Sequence, residues 1–297
     1  MRRMRIATDV GGTFTDLVGY ELDELGRVAR LVTHKVDSTP PAFERGVLEA
    51  TRTVDAKAVR FFAHGTTVVI NALLSRQGAK TALVTTRGFR DVLEIARGNR
   101  PDLFNFAFRK PRPFVPRRLR REIDERTDAG GRVVEPPGLE GLGEVVDDFR
   151  EEGVEAIAVC LLHAYANDAN ERTVGAELRR LWPEVSVALS SEICREWREY
   201  ERTSTTVLSA FVQPVTSRYL DSLAAGLRRQ GVSATPFVLQ SNGGATTVAA
   251  ATRNPVSMVE SGPASGVRRG RSSSETRSAN RTSRPSTSAA PPPSARS

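Results

Sequence analysis

Arg5-Ile-Ala-Thr-Asp-Val-Gly-Gly-Thr-Phe-Thr-Asp16 decides the reading of this chain. Ile6 to Val10 is a short apolar run that reads as a strand and delivers Asp9 to its end. Gly11 and Gly12 follow at once, as a tight turn with positive φ or close backbone approach requires. Thr13 and Thr15 line the turn with hydroxyls, and Asp16 opens a second apolar run, Leu17-Val-Gly-Tyr20. Strand, Gly-Gly-Thr turn and strand make a cradle of backbone N–H groups suited to phosphate oxygens. Asp9 can hold a magnesium ion through water, because that hard cation prefers oxygen ligands. The plainer account of the same residues is a β-hairpin whose glycines serve only the turn.

Working outward, Val28 to Val36 predicts a third strand and so an antiparallel meander. Asp37-Ser-Thr-Pro-Pro41 is a turn and helix start, and Ala42 to Val54 carries apolar residues at helical spacing. Val59 to Ala63 is a short strand that ends at His64-Gly-Thr-Thr67, and Val68 to Arg76 reads as a buried helix. Lys80 to Thr86 is again strand, and Phe89 to Ala96 helix. A meander followed by this alternation gives the order βββαβα, an α/β class. Residues 98–118 have no period, and Arg118 to Thr127 predicts an exposed strand. A helix over 138–152 precedes Val154 to Leu162, the most apolar run and a predicted central strand. Asn167 to Trp182 predicts a helix and Val185 to Leu189 a strand. Two consecutive helices, Glu199–Val212 and Val215–Arg229, are expected to be separated at Gln213-Pro214, before a strand over Thr235–Gln240. A domain boundary is expected near 190–200.

The composition narrows the function classes. The net charge of +8 is concentrated: residues 268–297 hold seven Arg and one acid, leaving 36 basic and 34 acidic side chains in the first 267. That distribution is a basic tail, and it argues against a nucleic-acid-binding face. The tail also has nine Ser, four Pro and no apolar residue larger than Ala, a composition that predicts disorder. No apolar run has membrane-spanning length, and the stretch between Arg5 and Gly11 is too short for a signal-peptide core. Cys160 and Cys194 have no metal-ligand spacing, and neutral thiols in a reducing cytoplasm are the expectation.

His64-Gly-Thr-Thr67, with Asn71 four residues on, lies at a strand-to-helix junction, where helix N–H groups and dipole favour an anion. Read plainly, Thr66 or Thr67 is an N-cap and His64 a satisfied loop histidine. Ser241-Asn-Gly-Gly244 and Ser261-Gly-Pro-Ala-Ser-Gly266 are Gly/Ser loops that serve equally as turns. Arg87, Arg90, Asp91, Glu94 and Arg97 share one predicted helix, with Arg90 and Glu94 spaced for a pair along it.

In combination these motifs resemble the hydantoinase A/5-oxoprolinase family of the actin-like ATPase superfamily. Asp9 to Asp16 resembles its first phosphate loop, and His64-Gly-Thr-Thr-Val-Val-Ile-Asn-Ala72 its second signature. Val84 to Gly98, Ser190-Ser-Glu-Ile193 with Arg198-Glu-Tyr-Glu-Arg202, Gln240 to Gly244 and Glu260 to Gly266 are similar to later segments, so the resemblance spans about residues 5–267.

The resemblance implies an actin-like ATPase (ribonuclease H-like) domain with an N-terminal β-meander, plus the incomplete start of a second domain. The divisions expected are 1–190 for the N-terminal phosphate-binding lobe, 191–267 for a partial hydantoinase A domain, and 268–297 for the tail. It implies ATP and Mg2+ as cofactors and phosphorylation of the amide oxygen of a hydantoin or 5-oxoproline before ring opening. The implied alternatives are the ATP-using subunit of an acetone-type carboxylase and a non-catalytic nucleotide-binding module. Asp9, His64 and Thr66 become the catalytic candidates, with Asp9 also the metal carboxylate. Gly11, Gly12, Thr13, Thr15, Asp16, Thr67, Asn71, Ser241, Asn242, Gly243, Gly244, Ser261 and Gly262 become the nucleotide-binding candidates. A cyclic amide or ketone substrate, a hydantoinase B-type partner subunit and an oligomer follow, with no nucleic acid or membrane. The second Asp-x-Gly-Gly-Thr hairpin that such a cleft uses does not appear after Val267. That change of text predicts a truncation or a reading-frame shift.

Overall fold

The computed structural model describes residues 3–99 and 102–261. The expected tail and Gly262 lie outside these residues. β1 (Arg3–Val10), β2 (Phe14–Leu22) and β3 (Val28–Asp37) form the meander, and β1 buries Met4, Ile6, Thr8 and Val10 on one face. That alternation is what a sheet with one packed face demands. α1 (Glu44–Thr51) covers the buried face, and β4 (Val59–Thr66) then runs parallel to β1 with Asp9 opposite Gly65. α2 (Val68–Ser75) leaves from the end of β4.

The strand that follows, β5 (Thr81–Thr86), does not join this sheet. All six of its residues are buried, so it needs cover on both faces. It finds that cover in a second sheet, every strand of which is parallel to its neighbours. Along the chain come α3 (Val92–Ile95), β6 (Arg120–Ile123), the hairpin β7 (Arg126–Thr127) and β8 (Val133–Glu135), and α4 (Leu142–Glu151). β9 (Ala156–Cys160), α5 (Ala169–Leu181), β10 (Ser186–Leu189) and α6 (Ser190–Ile193) complete this unit, in strand order β10-β9-β5-β6. The expected exposed strand over 118–127 is thus an inner-face edge strand that buries Arg120 and Ile123, and the expected helix over 89–96 is a single turn.

α7 (Glu199–Arg229) is one continuous helix of 31 residues, correcting the expected break at Pro214. A proline removes one backbone bond and crowds the preceding turn, which normally kinks or stops a helix. Here both halves are clamped. Val207 and Ala210 belong to the core of the second sheet, while Tyr219, Leu220, Leu223 and Leu227 pack under the first. Gly226 gives the Leu48 side chain of α1 a place against the α7 backbone, since a Cβ there would lie 2.4 Å from Leu48 Cδ1.

Beyond α7 the chain returns to the first sheet as β11 (Pro236–Leu239) and β12 (Ala245–Thr247), followed by α8 (Val248–Arg253). β11 pairs parallel with β4, giving the order β12-β11-β4-β1-β2-β3. α6 and the start of α7 fall within the span 190–200, and the first sheet is built from both sides of it. This is the α/β, actin-like arrangement with its N-terminal meander. Among the described residues no helix is long and apolar enough to cross a membrane.

Candidate functional site

β1, β4 and β11 are parallel, so the segments that leave their C-terminal ends gather on one edge of the sheet. The Gly11–Thr13 turn follows β1, Thr66-Thr67 and the N-terminus of α2 follow β4, and Ser241–Gly244 follows β11. Asp9 stands among them. A Cβ on Gly65 would lie 2.8 Å from Asp9 Oδ1, so the carboxyl group occupies the space that any side chain at position 65 would take. The two sequence motifs are therefore halves of one contact.

The hairpin turn leaves backbone donors unused at one point. Gly11 N–H donates to Phe14 O at 2.9 Å, and a Cβ on Gly11 would meet that oxygen at 3.2 Å. Neither Gly11 nor Gly12 adopts positive φ, so close approach, and not handedness, accounts for Gly11. Among the described residues the N–H groups of Gly12 and Thr13 have no protein partner, and the space beside Gly12 Cα is open. Thr15 departs from expectation. It is fully buried, bonded to Ser38 Oγ at 3.0 Å and packed on Gly46 of α1, so it supports the turn from behind. Ser38 donates through Oγ to Gly11 O and through N–H to Thr13 O, both at 2.8 Å.

Asp9 and Asp16 face each other across β1 and β2. Lys35 pairs with Asp16 at 2.7 Å, while Asp9 has no ion-pair partner among the described residues. Burial, and then the negative charge of Asp16, raise the Asp9 carboxyl above the ordinary carboxylate range. A cation beside Asp9 would relieve both effects, so the donor set fits magnesium, which typically takes one or two carboxylates plus phosphate oxygens and water. No group of three or more metal-ligating side chains occurs among the described residues.

His64, a candidate for a place near the transferred phosphate, is fully buried. Nδ1 is 2.8 Å from Thr8 Oγ1 and Nε2 is 2.7 Å from Tyr219 OH, so one nitrogen donates and the other accepts. Burial pushes its pKa down to about 3, which keeps the ring neutral. Burial likewise raises the Tyr219 hydroxyl. Thr66 is also buried and accepts from Val68 N–H at 3.2 Å, pinning the first turn of α2. Thr67 ties that helix to β1, since its N–H and its Oγ both donate to Val10 O at 3.0 Å, and Asn71 Nδ2 donates back to Thr67 Oγ.

Ser241, Asn242, Gly243 and Gly244 form the β11–β12 turn. Asn242 Oδ1 accepts from Gly244 N–H at 2.7 Å, Gly243 N–H donates to Gln240 O, and Ser241 bonds Ser257 O. These groups are used by the turn itself. Ser261 is buried with Oγ 3.4 Å from Thr66 O, which places this residue at the same edge. The charged residues on and around α3 are elsewhere. They reach across to the β6 segment as Arg87–Asp124, Asp91–Arg117 and Glu94–Arg120, and the expected Arg90–Glu94 pair is replaced by Arg90–Glu122 at 3.9 Å. Ser38, Gly65 and Tyr219 were not singled out from the sequence. Gly65 had a signal, its place in the His-Gly-Thr-Thr run, whereas Tyr219 meets His64 across 155 residues with no local mark.

Comparison with known proteins bears on what this edge serves. The family model described as hydantoinase/oxoprolinase N-terminal region matches residues 5–182, and the one described as hydantoinase/oxoprolinase matches residues 202–281. Caprolactamase subunit alpha of Pseudomonas jessenii is 32% identical over 91% of this chain and 40% of its own length. The 5-oxoprolinase of Saccharomyces cerevisiae is 30% identical over 89% of this chain and 23% of its own. The acetophenone carboxylase gamma subunit of Aromatoleum aromaticum is 31% identical over 82% of this chain and 36% of its own. The crystal structure of the ATP-dependent caprolactamase from Pseudomonas jessenii superposes with TM-score 0.79 at 31% identity, covering 92% of this chain and 40% of that one. A nucleotide-free acetone carboxylase shares the fold, with TM-score 0.81 at 24% identity, covering 93% of this chain and 41% of that one. The chain thus spans two fifths or less of the length of these relatives.

Proposed function

The chain belongs to the hydantoinase/oxoprolinase family, and from that premise we propose that it forms the phosphate-binding part of an ATP-dependent enzyme acting on a cyclic amide. The observation that carries this reading is the seating of Asp9 on Gly65, between an open glycine turn and the N-terminus of α2. The free N–H groups of Gly12 and Thr13 receive phosphate oxygens, and the α2 dipole adds to their field. Asp9 organises magnesium, whose charge offsets that of the phosphates when it is bound. His64, Thr8 and Tyr219 are positioning residues that hold the floor of the site from below, and Thr67 fixes α2 against the turn. When bound, ATP would supply the phosphoryl group that activates the amide oxygen, with ADP as leaving group, and water would open the ring with loss of phosphate.

The names of the relatives, a caprolactamase and a 5-oxoprolinase, support the cyclic-amide class. Two of them are named subunits, which supports a partner subunit that completes the reaction. The likeness to acetophenone carboxylase gamma subunit favours a second reading, in which the phosphorylated group is the enolate of a ketone. Phosphate release from magnesium-ATP, measured with hydantoin, 5-oxoproline, caprolactam, acetone plus bicarbonate, and glucose, separates the readings. Stimulation by a cyclic amide is expected. Stimulation by acetone with bicarbonate would move the chain to the carboxylases, and stimulation by glucose would contradict both.

A further inference from the structure

A cavity of about 370 Å³ lies between α7, α3 and the irregular segment after residue 101, away from the Asp9 edge. Its volume is within the range typical of small-molecule sites, roughly 300–1,000 Å³. Leu93, Val207, Leu208, Phe108 and Phe114 provide an apolar interior. Four cations, Arg76, Arg97, Lys110 and Arg112, line it as well, and among the described residues no carboxylate does.

Among the described residues three of these cations, Arg76, Lys110 and Arg112, have no carboxylate partner. Arg97 pairs with Glu201. Arg76 lies over the Phe114 ring, 4.4 Å from its centroid, and donates to Arg112 O at 2.7 Å. Lys110 donates to the carbonyls of Glu94 and Ile95 at 2.8 and 3.0 Å. An aromatic face and carbonyl oxygens orient a cation but leave its charge unpaired. Arg76 and Ala96, both lining residues, have φ of 53° and 54°, a conformation costly for side chains other than glycine. Arg76 caps the C-terminal end of α2, about 12 Å from the helix start at the phosphate edge. The cavity is therefore a separate place from the phosphate site.

We propose that this cavity is a second small-molecule site, which takes an amphipathic monoanion with an aromatic or short alkyl body and a carboxylate head. The body fills the Leu93–Val207–Phe114 interior. The carboxylate meets Lys110 and Arg112 at the rim, where charge-assisted hydrogen bonds are strongest.

Calorimetric titration of the full chain with 4-phenylbutyrate, 4-phenylbutan-1-ol and 4-phenylbutylamine tests this. The carboxylate is expected to bind one to one, the alcohol about tenfold more weakly, and the amine not at all. Lys110→Ala and Arg112→Ala, both surface changes, each lower the carboxylate affinity about tenfold. Ser204→Trp fills the cavity and abolishes binding, while magnesium-ATP binding stays unchanged. Equal binding of carboxylate and alcohol would overturn the proposal by leaving only an apolar crevice. Absence of binding, or carboxylate affinity untouched by Lys110→Ala and Arg112→Ala, would overturn it too.

Discussion

At position 65 the missing side chain is as informative as any present one. Asp9 Oδ1 would lie 2.8 Å from a Cβ there, nearer than nonbonded atoms tolerate, so Gly65→Ala must displace the carboxyl group. The change should weaken magnesium-ATP binding by about tenfold or more while the circular dichroism spectrum stays the same; unchanged affinity would mean that Asp9 does not work from that position. His64 permits a different test. In an unfolded chain its ring titrates near 6.5, whereas burial in the fold lowers this to about 3. Between those values the unfolded state binds the additional proton, so His64 stabilises the fold above about pH 6.5 and progressively less as pH falls toward 3. His64→Gln should be less stable than wild type at pH 7.5, and urea titrations should find the gap narrower by roughly 1–2 kcal/mol at pH 5. That Asp9, Gly11, Gly12 and Thr67 share one edge was legible in part, because they stand in two contiguous motifs. The burial of His64 and Thr15 was not, since the alternation that turns a side chain inward becomes decisive only once α1 and α7 cover that face.

Elements show where local pattern meets tertiary packing. The strands of the meander followed their alternation closely, but α7 passed through Pro214 because cores on both sides of it hold the helix in line. The Ser190 and Arg202 motifs also gain a physical account at this scale. Glu171 and Arg202, both buried, share Ser190: its Oγ donates to Glu171 Oε1 at 2.6 Å and accepts from an Arg202 nitrogen at 2.6 Å. Arg202 also donates to Leu161 O at 2.8 Å, and Glu171 accepts from Leu161 and Ser191 N–H groups. This joins α5, α6 and α7 to the end of β9. Arg202→Leu leaves Glu171 buried without the guanidinium that reaches it through Ser190, and guanidinium denaturation should register a loss of about 3 kcal/mol. A loss below about 1 kcal/mol would show that Ser190 and the backbone donors satisfy Glu171 by themselves.

For the molecule as a whole, the order βββαβα is the one the sequence predicts, while chain order alone does not set strand partners. β11 stands beside β4, although β5 follows β4 in the chain. No local signal distinguishes the two, since partner choice depends on which strand has cover on both faces. The consequence is functional, because β11 brings the Ser241–Gly244 turn and, further on, Ser261 to the edge where Asp9 stands. The central claim is that this edge binds magnesium-ATP through Asp9. Calorimetric titration of the chain and of Asp9→Asn with ATP, with and without magnesium, tests it most directly. The account predicts that wild type binds ATP only when magnesium is present and that Asp9→Asn loses at least about tenfold in affinity. Equal affinity of the two proteins, or binding indifferent to magnesium, would contradict it.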